Sequence, residues 1–202
     1  MQNVLDSSLI KHGWLIGLFN GNMVDVRNLR DEDIDIDSIA QSLSLQCRYM
    51  GHIKHHYSVA QHLCYVCDMI VKERGSPCRA SFAGLIHDFP EAFLHDLVRG
   101  IKVGICEQCD YASVDGRIMQ QIARIAGLDD FDAYHDVVKK WDNRVLKSEV
   151  LALTNAGQPW MELLAPIEEA PLQIAAWNPA VAKIELLIRY NSYTSLIKKG
   201  VL

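Results

Sequence analysis

The sequence predicts a mostly α-helical domain that begins with a small β-hairpin. Apolar residues recur at the i, i+3, i+4 and i+7 spacing of amphipathic helices through most of the chain after residue 35. Before that, Asn20-Gly21 separates the apolar-rich runs 14–19 and 22–26, which favours a hairpin with a two-residue turn. We see neither an internal repeat nor a Gly/Ser-rich linker. Residues 1–202 are therefore expected to form one domain.

The helical spacing and its flanking residues divide the rest of the chain into elements. Asp35 or Asp37 is available to cap the first helix, Ser58 the second, and Gly127 ends the fourth. Pro90 is expected to break or restart the helix that follows the third helical segment, because the residue before a proline is biased away from helical angles. The expected segments are a helix from Ile36, one from Val59 through Ile70, one from Pro77 to Ile86, one through Val114–Ile125, and a long one through Phe131–Val145.

The C-terminal part is expected to form a loop followed by one last helix. Three prolines between residues 157 and 171 indicate the loop. The last helix is expected from about Pro179 to Leu196, with Val181, Ile184 and Ile188 facing inward.

Composition excludes several classes of protein. Half of the 202 residues are hydrophobic, 22% are charged and the formal net charge is −5, which argues against disorder. The negative charge also disfavours nucleic-acid polymers and anionic membranes as main partners. Residues 1–6 lack the basic start of a signal peptide, and no run approaches the length of a membrane span. We therefore expect a cytoplasmic protein whose six cysteines are reduced.

Two histidines and three carboxylates carry the main chemical signal. They are His62 on the second helix, His87-Asp88 ending the third, Glu91 just beyond, and Asp142 within the fifth. Asp142 follows Trp141 on a helix with an apolar face, where an unpaired carboxylate is costly. Histidine and carboxylate together form a plausible ligand set for a divalent transition metal.

The cysteines offer an alternative metal site. Cys64/Cys67 and Cys106/Cys109 are two CxxC pairs, a spacing that can hold structural zinc. Cys64 and Cys67 fall on the helix of His62, and zinc pairs usually lie on turns. Cysteines on helices are more often buried thiols that act as small hydrophobic side chains.

Longer segments around these residues resemble the HD-domain phosphohydrolase superfamily. The segments are Cys47-Arg48-Tyr49-Met50-Gly51-His52, Tyr57-Ser58-Val59-Ala60-Gln61-His62, Leu85-Ile86-His87-Asp88-Phe89-Pro90-Glu91-Ala92-Phe93 and Trp141–Glu149. Together they are similar to the H…HD…D pattern of small phage and bacterial members, across about residues 14–155. The resemblance implies an HD-type helical bundle.

The resemblance also implies roles for individual residues. His62, His87, Asp88 and Asp142 match the metal ligands. Glu91 and Asp96 match catalytic acids, and Glu91 would act on the attacking water. The substrate contacts are matched by Arg48, Tyr49 and Lys102. The implied metal is Zn, Co or Mn, with Mg as an additional ion.

The small family members include dATP triphosphohydrolases of phages and bacterial 5′-deoxynucleotidases. The entry hairpin and the YSVAQH segment are closer to the former, which implies cleavage of dATP to deoxyadenosine and triphosphate, in host cytoplasm if the chain is phage-encoded. A deoxynucleotidase acting on monophosphates and a catalytically silent nucleotide sensor are the alternatives. The family also implies a homo-oligomer and a small-molecule nucleotide partner.

One segment departs from the family pattern. Where the family often reads D-I-P-x-P-L-K, this chain has Asp96-Leu97-Val98-Arg99-Gly100-Ile101-Lys102, without either proline. That turn helps to shape the base pocket in the family, so the base preference stays open.

Overall fold

The computed structural model describes residues 14–107 and 109–202, so predictions about residues 1–13 lie outside the described residues. It confirms a mostly helical fold with a small hairpin. The strands are β1 (Leu15–Gly17) and β2 (Met23–Asp25). The helices are α1 (Ile36–Leu45), α2 (Val59–Arg74), α3 (Arg79–Ile86), α4 (Glu91–Leu94), α5 (Arg99–Cys106), α6 (Tyr111–Ile125), α7 (His135–Leu153), α8 (Gln158–Leu164) and α9 (Pro179–Lys198).

The hairpin is present, but its turn is longer than predicted. The antiparallel register pairs Ile16 with Val24, at the centre of both strands. The amide of Leu18 donates to the carbonyl of Asn22, so Asn20 and Gly21 lie inside a five-residue connection. The predicted two-residue turn is therefore wrong, although Gly21 has the positive φ of 90° that favours glycine.

Helix α2 lies at the centre of the molecule and contacts α1, α3, α7 and α9. Its predicted cap is confirmed, since Ser58 Oγ accepts from the amide of Gln61 at 3.2 Å. Its apolar residues Leu63, Val66 and Ile70 are fully buried. One core cluster includes buried residues from β2 to α9. His62 is thus carried by a helix at the centre of the core.

Helix α3 packs closely on α2 because Gly84 has no side chain. A Cβ at this position would lie 2.6 Å from Cδ1 of Ile70 and 3.2 Å from Cγ1 of Val66. The close approach fixes the end of α3, where His87 follows, relative to α2.

Two expectations about helices are corrected, and α5 has no counterpart among the predicted segments. None of the residues of α5 is buried. The segment expected as a loop contains α8, with Pro159 in its first turn, where proline is tolerated. In α9 the inward face is the opposite of the one predicted.

The exposed face of α9 carries the residues expected inside. Val181, Ile184 and Ile188 are 39%, 55% and 55% exposed, whereas Ala182 and Leu186 are fully buried. The helix is apolar on both sides, so the 3.6-residue period alone does not identify the inward face.

Within residues 14–107 and 109–202, we find no helix long and apolar enough to cross a membrane. Cys64 and Cys67 are buried in the core, as expected for small hydrophobic side chains. Burial raises the pKa of the Cys67 thiol to about 12, so it stays protonated at neutral pH.

Candidate metal centre

Three helical segments bring His62, His87 and Asp142 together. One ligand atom from each lies within 4.8 Å of the other two, and this group is the candidate cation site found in the described part of the chain. His62 belongs to α2, His87 follows α3, and Asp142 belongs to α7. The group contains no cysteine, so the structure does not support the zinc site read from the two CxxC pairs.

Both imidazoles have their Nδ1 atoms bound, which leaves their Nε2 atoms facing the group. Nδ1 of His62 lies 2.7 Å from Oε1 of Glu149, and Nδ1 of His87 lies 2.8 Å from the carbonyl oxygen of Gly84. Because an ionised carboxylate and a carbonyl only accept, each Nδ1 carries a proton and donates it. Both Nε2 atoms are buried without a hydrogen-bond partner. Two buried, unpartnered Nε2 atoms that converge beside a carboxylate fit a divalent metal.

The carboxylates of Asp142 and Asp88 lie beside the two imidazoles. Oδ1 of Asp142 lies 3.3 Å from Nε2 of His62, without the alignment of a hydrogen bond. Oδ2 of Asp88 lies 3.3 Å from Nε2 of His87 and 3.9 Å from Nε2 of His62. All four residues that match the family's ligands are therefore neighbours here, with Asp88 at the edge of the group.

Glu149 is a buried carboxylate for which the sequence predicted no role. Besides His62, it accepts from the hydroxyls of Tyr57 at 2.8 Å and Tyr49 at 2.7 Å, and from Nε of Arg48 at 3.2 Å. A metal-binding histidine usually donates its second N–H to such a carboxylate, which fixes the ring and its tautomer. Glu149 follows Asp142 by seven residues, two turns of α7, so it lies on the same face.

The charges around His62 decide its protonation in the metal-free protein. Burial and Arg48 lower its pKa, but Glu149 and Asp142 outweigh them and raise it to about 9. Burial raises the pKa of Glu149, yet Arg48 and His62 bring it down to about 2. The metal-free site thus holds an imidazolium between two carboxylates. A bound cation would replace the proton on Nε2.

A left-handed turn positions the predicted substrate residues Arg48 and Tyr49. Tyr49, Met50 and Gly51 have φ values of 57°, 54° and 79°, in the region that disfavours side chains. The amide of Arg48 donates to the carbonyl of Tyr57, which ties the turn to the start of α2. Tyr49 lies under the Arg48 guanidinium, 5.5 Å from ring centroid to Cζ, and its hydroxyl binds Glu149. Arg48 and Tyr49 therefore belong to the hydrogen-bonded network around Glu149 that supports the site.

Glu91 is buried beside the ligands and has an unpaired oxygen. Its Oε2 has no hydrogen-bond partner. Burial and the charges of Asp88 and Asp96 raise the pKa of Glu91 well above its usual value. Gln46 links the two acids, because its side chain donates to the Glu91 carbonyl and accepts from the Asp96 amide. A buried carboxyl group whose pKa is raised is a candidate for exchanging a proton with a neighbouring water.

Lys102, on α5, lies near enough to Glu91 and Asp88 for their charges to act on it. Its ammonium lies 3.6 Å from Oδ1 of Asp115. Burial lowers its pKa, but Asp115, Glu91 and Asp88 raise it more, so the group is positive at neutral pH. Asp115 was not singled out from the sequence, because no spacing connects a residue of α6 with one of α5.

The other His-Asp pairs do not join the group. His135 and Asp136 contact each other on the surface, and Nδ1 of His95 lies near its neighbour's carbonyl. Only the pair at 87–88 follows a helix that packs on α2, which is what separates it from the other two.

The chain is similar to two bacterial proteins. It is 38% identical over 87 residues to the uncharacterized protein YfdR of Escherichia coli strain K12, covering 43% of this chain and 46% of YfdR. It is 29% identical over 122 residues to an uncharacterized protein of Rhodobacter capsulatus, covering 59% of this chain and 61% of that protein. The matches thus span about half the length of these relatives. No protein-family model matches the chain.

Proposed function

We propose that this chain is a metal-dependent phosphohydrolase of the HD type that cleaves deoxynucleoside triphosphates into a deoxynucleoside and triphosphate. The observation that supports it most is the convergence of two buried, unpartnered Nε2 atoms with Asp142 and Asp88. The resemblance of the same residues to the HD pattern supplies the substrate class.

His62, His87, Asp88 and Asp142 would hold a divalent transition metal. Such an ion lowers the pKa of a bound water to about 7 and polarises a phosphoryl oxygen. Neutral imidazoles and two carboxylates suit Zn, Co or Mn alike.

Glu91 orients the attacking water and takes its proton. Its buried Oε2 has no other partner, and burial and the charges of Asp88 and Asp96 raise its pKa well above its usual value. Asp96 lies close enough for its charge to act on Glu91, and Gln46 holds both acids in place.

Arg48 and Lys102 bind the phosphate that is attacked. Arg48 is buried, with its Nε on Glu149, and its Nη1 lies 3.8 Å from Asp88. Its terminal N–H groups therefore point toward the ligand cluster and can donate to phosphoryl oxygens. Lys102 adds a second positive charge on the Glu91 side. An acidic protein can thus bind a polyanion at a locally positive site.

Product analysis tests the proposal. The purified protein is incubated with each of the four dNTPs and with Zn, Co or Mn, and the products are separated. We expect the free deoxynucleoside and triphosphate in equal amounts, with dATP the preferred substrate. Pyrophosphate or orthophosphate release from dNTPs without free nucleoside contradicts it. Orthophosphate from dNMPs alone favours the deoxynucleotidase.

Asp142→Ala tests whether Asp142 is one of the metal ligands. It is expected to lose metal and turnover while keeping its helical circular dichroism spectrum. Asp136→Ala, on the first turn of the same helix but on its surface, is the control and should keep both. Full turnover by Asp142→Ala would remove this residue from the ligand set.

A further inference from the structure

Two cations lie on the solvent side of the ligand group and have no role in the proposed chemistry. Lys139 is one turn before Asp142 on α7, and its ammonium donates to Oδ2 of Asp142 at 2.8 Å. Its side chain is 47% exposed. Arg99 begins α5, and its Nη2 donates to Oδ1 of Asn143, the residue after Asp142, at 3.2 Å. We call Arg99 and Lys139 the solvent-side cations.

The contacts of Arg99 connect two helices across the site. Asn143 belongs to α7 and Arg99 to α5, and Lys102 follows Arg99 by one turn on the same helix. Helix α5 has no buried residue. It is therefore held largely by polar contacts such as Arg99–Asn143 and Lys102–Asp115. Exposed contacts of this kind contribute little stability in water, so an anionic ligand can replace them at small cost.

The positive groups around the site differ in their exposure to solvent. Arg48 is buried, Lys102 is intermediate, and the solvent-side cations are the most exposed. Lys139 contacts Asp142 and Arg99 contacts the next residue of α7, so both exposed cations lie directly beside the ligand group. Each has N–H groups beyond the one used in its contact, because an ammonium has three donors and a guanidinium five.

We propose that Arg99 and Lys139 bind the β- and γ-phosphates of the substrate and thereby select triphosphates over monophosphates. This inference rests on the proposed function, since it places the first phosphate at the metal centre. The chemical class recognised is a linear polyphosphate carried by a nucleoside.

A purely supporting role for Lys139 is the competing explanation. If the lysine only neutralises Asp142, its removal changes metal binding. If it binds phosphate, its removal changes polyphosphate binding and leaves the metal in place. The two readouts therefore separate the roles.

Binding to inorganic anions tests the proposal without turnover. Metal-loaded wild type, Arg99→Ala and Lys139→Ala are titrated with tripolyphosphate and with orthophosphate by calorimetry. We expect each variant to weaken tripolyphosphate binding by about tenfold and orthophosphate binding by less than about twofold. Arg74→Ala and Lys72→Ala, exposed at the far end of α2, are the matched controls and should bind both anions as wild type does.

The outcomes also distinguish the two proposals. Equal losses for both anions, unchanged tripolyphosphate binding, or loss of metal by Lys139→Ala overturns the polyphosphate site. If wild type cleaves dNTPs and Arg99→Ala has an unchanged KM for them, the polyphosphate site fails and the proposed function stands. If no nucleotide is cleaved but tripolyphosphate binding depends on both cations, the proposed function fails and the site stands.

Discussion

Glu149 shows how one buried carboxylate organises the residues of the site. It accepts from His62 and Arg48, both of which are cationic in the metal-free protein, and from two tyrosine hydroxyls. Removing one partner from such a buried group leaves uncompensated charge, which typically costs about 3–5 kcal/mol. The orientation of the His62 ring therefore depends on Glu149 being ionised and in place.

Glu149→Gln is expected to weaken metal binding by about 10–100-fold, because the amide holds the His62 Nδ1–H less strongly than a carboxylate does. Metal affinity is measured by competition with a chromophoric chelator. Glu168→Gln, an exposed acid whose carboxylate meets Arg144, is the control and should bind metal normally. Unchanged affinity in Glu149→Gln would show that Glu149 does not position the ligand.

The same carboxylate gives the metal-free protein a defined acid dependence. Its folded pKa of about 2 lies below the usual 4.5, so its contribution is full above about pH 4.5 and is lost as the pH falls toward 2. The contribution is roughly 3 kcal/mol. The difference in unfolding free energy between wild type and Glu149→Gln should therefore shrink between pH 5 and pH 2.5 in urea titrations. A difference independent of pH would contradict the assignment.

Single residues show what the sequence can and cannot reveal. Asp142 stands out because a carboxylate on an apolar helix face needs a partner, and the structure places it beside two imidazoles. Glu149 lies on the same face, yet it is separated from Arg48 by 101 positions. Such a pairing depends on how α7 meets the turn at 48–51, and the helical period contains no information about it. The sequence gives no reason to single out Lys139 or Arg99, because exposed cations are common.

At the scale of elements, the position of α3 on α2 determines the distance between the two histidines. Their ring centroids are 5.6 Å apart. Gly84 permits this approach, and its carbonyl also accepts from His87. The packing of α3 on α2 and the orientation of His87 thus both depend on Gly84.

Gly84→Val is expected to destabilise the protein by about 1–3 kcal/mol, because its side chain meets Ile70 and Val66. It should also weaken metal binding, since α3 must move away from α2. Thermal unfolding and metal titration measure the two effects. Gly116→Val lies on an exposed part of α6 with open space around it and provides the steric control. Normal metal binding in a destabilised Gly84→Val would separate packing from ligand geometry.

The helices also show where periodicity stops being informative. In α1, α2 and α3 the expected residues Ile39, Leu63 and Ala83 are buried. Helix α9 is apolar on both sides, and its inward face is set by Tyr193, whose hydroxyl pairs with Ser81 and whose ring stacks on Phe82 at 5.0 Å. A contact across 112 positions has no local sequence signal.

At the scale of the whole molecule, a bound metal would connect α2, α7 and the segment after α3. A ligand that binds only the folded state stabilises it by mass action, by about 2.7 kcal/mol at a hundred times its Kd. The predicted homo-oligomer stays a prediction, as do the nucleotide partner and the single domain over 1–202. The exposed row of Val181, Ile184 and Ile188 is the surface on which to begin a test of assembly.

Metal addition is expected to raise the Tm, and a chelator to lower it again. The shift should amount to several degrees for Zn, Co or Mn at saturating concentration, because a domain of this size shifts about 2–4 °C per kcal/mol. Differential scanning calorimetry measures it. Asp142→Ala should show no shift, whereas Asp136→Ala should behave as wild type. An equal shift in both variants would locate the stabilising ion elsewhere.

The separation of Glu149 from its partners has a consequence during synthesis on the ribosome. The bonds that join it to Tyr57 and His62 span 92 and 87 positions. A nascent chain that has emerged only as far as His87 contains both histidines but neither Asp142 nor Glu149. Arg48 and His62 then lack the anions that permit their burial, so the centre assembles only after most of α7 has emerged. Translation order therefore makes α7 the last helix to join the candidate metal centre, and a chain that stops before it lacks Asp142 and Glu149.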